Sequence, residues 1–316
     1  MATQVFREHQ LEPKSIKELS LTSNVFIDTI DLLCEAELQL TKLTLSTPVG
    51  FYSSMTLLDG FINEESYNTC DDPSMIEFLE TMTGLTSLNT TFNPKILKNR
   101  IISVSVTTLD LTLTKVRSRQ AQSIDMDRIL IAFPSLMSLN LSCPNTIVTA
   151  NPDNDDIQSH PSLRHVELQC ESIDTSATRL LGRVAPNLKT MKWIVTARRG
   201  GKAQIKFIME NKRSKDLEYT IDITALKLEA FDFAYNNYHG DHIYRSRLCL
   251  EAHKLEGKRQ QYVYAMSFGG VLTPISNDPE DSDDNFDGED FINLMPKVKV
   301  LYDSIGVLRF QGHELS

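Results

Sequence analysis

"SLMSLNLSC" at residues 135–143 places Leu136, Leu139 and Leu141 in the order L-x-x-L-x-L, with serine and asparagine between them. In an extended chain Leu139 and Leu141 point to one side and Ser138, Asn140 and Ser142 to the other. The stretch reads as a short strand with an apolar face and a small polar face. Near-copies run along the chain: "IKELSL" from Ile16, "LTKLTL" from Leu40, "LTSLNT" from Leu85, "VTTLDL" from Val106, "LRHVEL" from Leu163, "LKTMKW" from Leu188 and "ITALKL" from Ile223. With Leu136 included, successive starts lie 24, 45, 21, 30, 27, 25 and 35 residues apart. A unit of this size cannot bury its apolar face alone; stacking on its neighbours buries it.

Between these strands the apolar period changes from two to about 3.6. Helices are expected in 28–40, 72–85, 126–136, 175–188 and 289–298, where apolar residues fall three or four apart. Asp28, Asp72, Asp125 and Thr175 are expected as N-caps. Pro134, Pro161, Pro186 and Pro296 each stand two places before an apolar anchor, where proline stops a helix and sends the chain into a strand.

On these residues the chain resembles leucine-rich-repeat proteins of the ribonuclease-inhibitor-like type across roughly residues 16–230. The resemblance implies an α/β solenoid, with a curved parallel sheet on the concave side and helices on the convex side. The expected division is a short segment at 1–15, the solenoid at 16–205, and the last repeats with a strand-rich C-terminal cap at 206–316. In that last part "SRLCLEAHKLEGKRQQYVYAMSF" (246–268) reads as two alternating strands around a turn at Glu256 and Gly257. The proline-stopped, uneven repeats are also similar to the repeat region of F-box/leucine-rich-repeat proteins, in which the solenoid captures a substrate for a ubiquitin ligase. An F-box is a helical segment opening with Leu-Pro, and only "MATQVFREHQLEPKS" precedes Ile16. A Skp-type adaptor is therefore not expected as a partner; a protein captured by the repeats is.

The strand reading turns a row of side chains outward from each unit: Glu18, Ser20 and Thr22; Lys42, Thr44 and Ser46; Ser87, Asn89 and Thr91; Thr108, Asp110 and Thr112; Ser138, Asn140 and Ser142. Then follow His165, Glu167 and Gln169; Thr190, Lys192 and Ile194; Ala225, Lys227 and Glu229. Interfaces are anchored by large side chains in a desolvated centre, and the first five rows are mostly small and polar. The partner-binding face is therefore expected at His165, Glu167, Gln169, Thr190, Lys192, Lys227 and Glu229. In the aromatic stretch "FDFAYNNYHGDHIYR" (231–245) most rings are expected to fill core, with Tyr235 and Tyr238 as additional aromatic contacts.

Other chemistry is weakly represented. Residues 278–290, "DPEDSDDNFDGED", hold eight of the acidic residues behind the formal charge of −10, so the remainder is nearly neutral. The basic clusters "ARRGGK" (197–202) and "ENKRSK" (210–215) are short, so no nucleic-acid partner is expected. Asp283, Asn285, Asp287 and Gly288 match the opening of a calcium loop, but Leu294 stands where the twelfth-position glutamate belongs. His239 and His242 flank Asp241, with Cys249 and His253 as the only further zinc ligands in reach, and the bland reading is surface histidines in a turn. No cofactor, metal or catalytic residue is expected. The five cysteines are well separated, which argues against a disulfide framework or a metal knuckle. With no apolar run of membrane length and no signal-like N-terminus, neither a membrane nor a secreted location is expected, leaving cytoplasm or nucleus. An alternative is a regulatory repeat module resembling Ran-type GTPase-activating proteins, with Arg7 or Asn24 supplied to a partner.

Overall fold

The computed structural model describes residues 16–22, 39–46, 73–91, 100–112, 122–196, 218–236, 247–255, 259–266, 272–274, 297–310 and 312–315. Eight of its strands come from the eight sequence units: β1 (Glu18–Thr22), β2 (Lys42–Ser46), β3 (Ser87–Thr91), β4 (Thr108–Thr112), β6 (Ser138–Thr149), β7 (His165–Ile173), β8 (Thr190–Thr196) and β10 (Lys227–Asn236). They lie side by side, parallel, in chain order, and the sheet continues through β15 (Ser304–Phe310) to the antiparallel β16 (His313–Leu315). A short β5 (Gln122–Asp125) pairs the far half of β6, beyond a register shift between Cys143 and Ile147. The α/β class and the mostly parallel sheet agree with the sequence reading.

One backbone carbonyl per unit sets the stacking. Lys17 O accepts from the N–H groups of Thr41 and Lys42, Thr41 O from Thr86 and Ser87, Thr86 O from Thr107 and Thr108, and Thr107 O from Met137 and Ser138. The same pair of bonds recurs from Met137 to Arg164 and His165, from Arg164 to Lys189 and Thr190, and from Lys189 to Glu229 and Ala230. In the first units the hydroxyls of Thr41, Thr86 and Thr107 bond to that carbonyl as well, at 3.1, 3.0 and 3.1 Å. In these three units a threonine after the first apolar anchor thus ties the unit to the one before it, adding a side-chain bond to a carbonyl already held by two backbone N–H groups.

The inward rungs are Leu43, Leu88, Leu109, Leu139, Val166, Met191, Phe231 and Leu308, all buried. Two places on, Leu45, Thr90, Leu111, Leu141, Leu168, Trp193, Phe233 and Phe310 form a second buried column. Toward the C-terminus its rings enlarge and interlock, with centroids 5.4 Å apart for Trp193 and Phe233 and 5.5 Å for Phe233 and Phe310. Each buried leucine or aromatic contributes about 1.5–3 kcal/mol of transfer free energy, so the two columns are the main cohesive element. Cys143 and Cys170 stand opposite one another at the end of the buried face, both as free thiols.

Three helices are described: α1 (Pro73–Thr81), α2 (Met126–Ala132) and α3 (Thr175–Val184). They fall in three of the expected windows; the window at 28–40 lies almost wholly outside the described residues. The cap of α3 is Asp174 rather than Thr175, its carboxylate accepting from Ser176 N at 2.8 Å. Hydrogen bonding from the Ser176 side chain, and then from its backbone N–H, holds the Asp174 carboxyl below its usual range. Asp125 sits at the N-cap of α2 but makes no capping bond; it binds Arg128 at 3.1 Å instead.

Among the described residues no helix follows α3. A second, five-stranded sheet, in the order β13 (Leu272–Pro274), β12 (Arg259–Met266), β11 (Arg247–Lys254), β14 (Lys297–Tyr302), β9 (Glu218–Asp222), adds Ile221, Leu250, Ala252, Val298 and Val300 to the same core. The expected hairpin is present as β11 and β12. Lys297 and Val298, expected to end a helix, open β14, because Val298 and Val300 alternate with lysines at a period of two. Tight corners pass the chain from β9 to β10 and from β14 to β15, tied by the bond from Ile223 N to Leu301 O at 2.9 Å. Since β10, β15 and β16 extend the first sheet beyond residue 205, the core is continuous across the expected boundary. No described helix is long and apolar enough to cross a membrane.

Candidate functional site: a polar groove across the parallel strands

The polar sides of the strands form a groove of about 440 Å³ that runs from Thr108 and Asp110 on β4 to Arg309 on β15. Its floor is one row of side chains brought level by the parallel register: Asp110, Asn140, Glu167, Lys192, Asp232 and Arg309. The four nearest the C-terminus alternate in charge. Lys192 Nζ lies 3.4 Å from Glu167 Oε2, and Gln169 Nε2 donates to Glu167 Oε1 at 3.1 Å. Ser142 Oγ reaches Gln169 Oε1 at 3.4 Å, and Asp232 Oδ1 accepts from Gly312 N at 3.4 Å. In the row above, His165 Nδ1 and Thr190 Oγ1 are 2.8 Å apart. Among the described residues, the side chains of Asp110 and Arg309 make no hydrogen bond or ion pair.

Five of the expected site residues, His165, Glu167, Gln169, Thr190 and Lys192, therefore stand together on this face. Lys227 and Glu229 do not. The unit expected from Ile223 is displaced: Ile223 and Leu226 are buried in the corner before β10, and the strand pairs with β8 from Ala230 onward. Thr190 follows its turn anchor Leu188 by two positions, whereas Ala230 follows Leu226 by four. The true rung is Leu228, Phe231 and Phe233, which puts Ala230, Asp232 and Ala234 outward in place of Ala225, Lys227 and Glu229. Glu229 lies at the rim, paired with Lys189 at 2.7 Å, and Lys227 stands opposite Ser304. Ala225 instead receives α3: a Cβ on Gly182 would collide with its carbonyl, so only glycine permits this approach.

Asp232 and Arg309 were missed from sequence. The signal for Arg309 is "IGVLRF" (305–310), in which Ile305, Leu308 and Phe310 repeat the L-x-x-L-x-L spacing as a ninth unit. Asp232 was hidden inside the aromatic stretch, of which Phe231 and Phe233 are core. Tyr235 stands opposite Val195 in the register; Tyr238, His239, His242, Arg7, Asn24, the acidic stretch 278–290 and both basic clusters lie outside the described residues. His253 is on β11, its Nε2 3.0 Å from the buried Glu251. Among the described residues no group of three or more His, Cys, Asp or Glu is placed to hold a metal ion. Compared with protein-family models, curated proteins and solved structures, the chain has no significant match.

Proposed function

We propose that the chain is a non-catalytic leucine-rich-repeat solenoid that binds a protein through this groove, in the manner of the substrate-receptor repeats of F-box/leucine-rich-repeat proteins. One observation carries the reading: nine L-x-x-L-x-L units, including that at Ile305, stack in parallel and in chain order, aligning their outward residues into one continuous polar row. Such a row is a recognition surface whose specificity comes from charge placement, since complementary charges across an interface select partners and register more than they add affinity. The Glu167 and Lys192 side chains are roughly 31% and 42% exposed, so their ion pair contributes at most about 1 kcal/mol to the fold and is free to be re-paired by a ligand.

The test is quantitative affinity purification of the tagged full-length chain from a eukaryotic extract, beside a Glu167→Lys/Lys192→Glu/Asp232→Lys variant with an unchanged melting transition. A protein retained by the parent and lost by the variant supports the reading. Recovery of a Skp adaptor and cullin with it would assign the chain to a ubiquitin ligase. Partners bound equally by both chains would remove the groove as the site.

A further inference from the structure

The spacing of charge in the groove identifies the shape of what fits it. Glu167, Lys192, Asp232 and Arg309 sit on four adjacent strands, β7, β8, β10 and β15, and occupy register-matched positions. Neighbouring strands are about 4.8 Å apart, so the four charges stand at roughly 0, 4.8, 9.6 and 14.4 Å along the row. On an α-helix, with about 1.5 Å rise per residue, positions i, i+3, i+7 and i+10 form one stripe at roughly 0, 4.5, 10.5 and 15 Å. An extended strand presents alternate residues on one face about 6.7 Å apart and is out of step by more than one strand after three steps.

The backbone argument agrees with the spacing. The groove floor presents side chains, because the N–H and C=O groups of these strands are consumed by their neighbours in the sheet. An extended ligand lying across them would bury its own amides without partners, whereas a helix satisfies its amides internally. A helix also matches the dimensions: the groove of about 440 Å³ takes the side chains along one face of a helix and leaves the rest in water.

Resting on the protein-binding reading above, we infer that the groove receives an α-helical segment of a partner. One stripe of that helix alternates basic and acidic side chains at i, i+3, i+7 and i+10, opposite Glu167, Lys192, Asp232 and Arg309. Asp110, two strands before Glu167 and without a partner among the described residues, adds a basic position at i−7 of the same stripe. The signs oppose at every step, so a helix with the same composition but its charges in blocks meets like charge at two of the four positions.

Two side-chain-stapled helical peptides provide the test, measured by fluorescence anisotropy with the full chain at low salt. One carries Lys, Glu, Lys, Glu at i, i+3, i+7 and i+10; the other carries Lys, Lys, Glu, Glu. The parent chain is expected to bind the alternating peptide at least about tenfold more tightly. In a Lys192→Asp/Asp232→Lys variant, whose composition of charge is unchanged, the row reads acidic, acidic, basic, basic and the preference is expected to reverse. Equal binding of both peptides, or a preference that survives the exchange, overturns the helix assignment. If the assignment fails while an extract partner is still lost on charge reversal at Glu167, Lys192 and Asp232, the binding face stands and only its ligand shape is wrong. If neither responds, both readings fall.

Discussion

Thr90 offers a direct measure of how the stacked columns hold the fold. Its side chain is fully buried, and its position in the second column is filled by leucine in the neighbouring units at Leu45, Leu111, Leu141 and Leu168. Its hydroxyl has no hydrogen-bond partner among the described residues. A buried hydroxyl without a partner costs about 1–3 kcal/mol relative to one left in water. Thr90→Val exchanges that hydroxyl for a methyl of nearly the same size, keeps the β-branched shape suited to a strand, and removes the penalty. The expected gain is about 1–2 kcal/mol, taking the lower part of that range because the transfer is not from a fully extended chain. For a chain of this size that corresponds to a rise in Tm of roughly 1.5–3 °C. Thr90→Ser is the counter-variant: it keeps the hydroxyl, deletes a methyl, and is expected to lose about 1 kcal/mol. Urea denaturation followed by circular dichroism reads both, with the midpoint moving in opposite directions and the slope unchanged. A Thr90→Val midpoint at or below that of the parent would refute the reasoning, since it would mean the hydroxyl is bonded in solution.

His160 is buried at the position that Phe133 and Ala185 fill in adjacent units, and its Nδ1 has no partner among the described residues. Burial lowers its pKa below the ordinary 6.5, so the unfolded chain takes up a proton before the native one does. Stability is therefore expected to fall as pH drops below about 6.5, and His160→Phe should gain on the parent between pH 7.5 and 5.5; a constant gap between their melting temperatures would contradict this. Gly182→Ala is expected to destabilise by about 1–3 kcal/mol because the new methyl meets the Ala225 carbonyl, and a melt unchanged within half a degree would show that α3 does not lie on that corner. The thiols of Cys143 and Cys170 are buried, and burial followed by the neighbouring Cys143 thiol pushes Cys170 well above the ordinary cysteine range. A native-state titration with an aromatic disulfide reagent at pH 8 should leave both unmodified until denaturant is added, and mass spectrometry of the two peptides settles the outcome.

What could be read from the amino acids alone was set by interactions that repeat locally. In the six units from Leu40 to Leu188 the L-x-x-L-x-L spacing determined which side chains are buried, because period two in a strand leaves no alternative once one face is apolar. Proline and the change to a 3.6 period then located α1, α2 and α3. The polar identity of Glu167, Lys192 and His165 on the open face followed from the same alternation. Three features could not follow from it. The layer behind the last strands is a sheet, because valines between lysines at 297–300 pair with β9 and β11, which are distant in sequence. The eighth rung begins at Leu228 rather than Ile223, since both registers bury apolar residues and only pairing with β8 and β15 chooses between them. Asp232 and Arg309 complete the row of alternating charge for the same reason: parity in sequence assigns a side chain to a face, but which strand it lies beside is decided by long-range pairing.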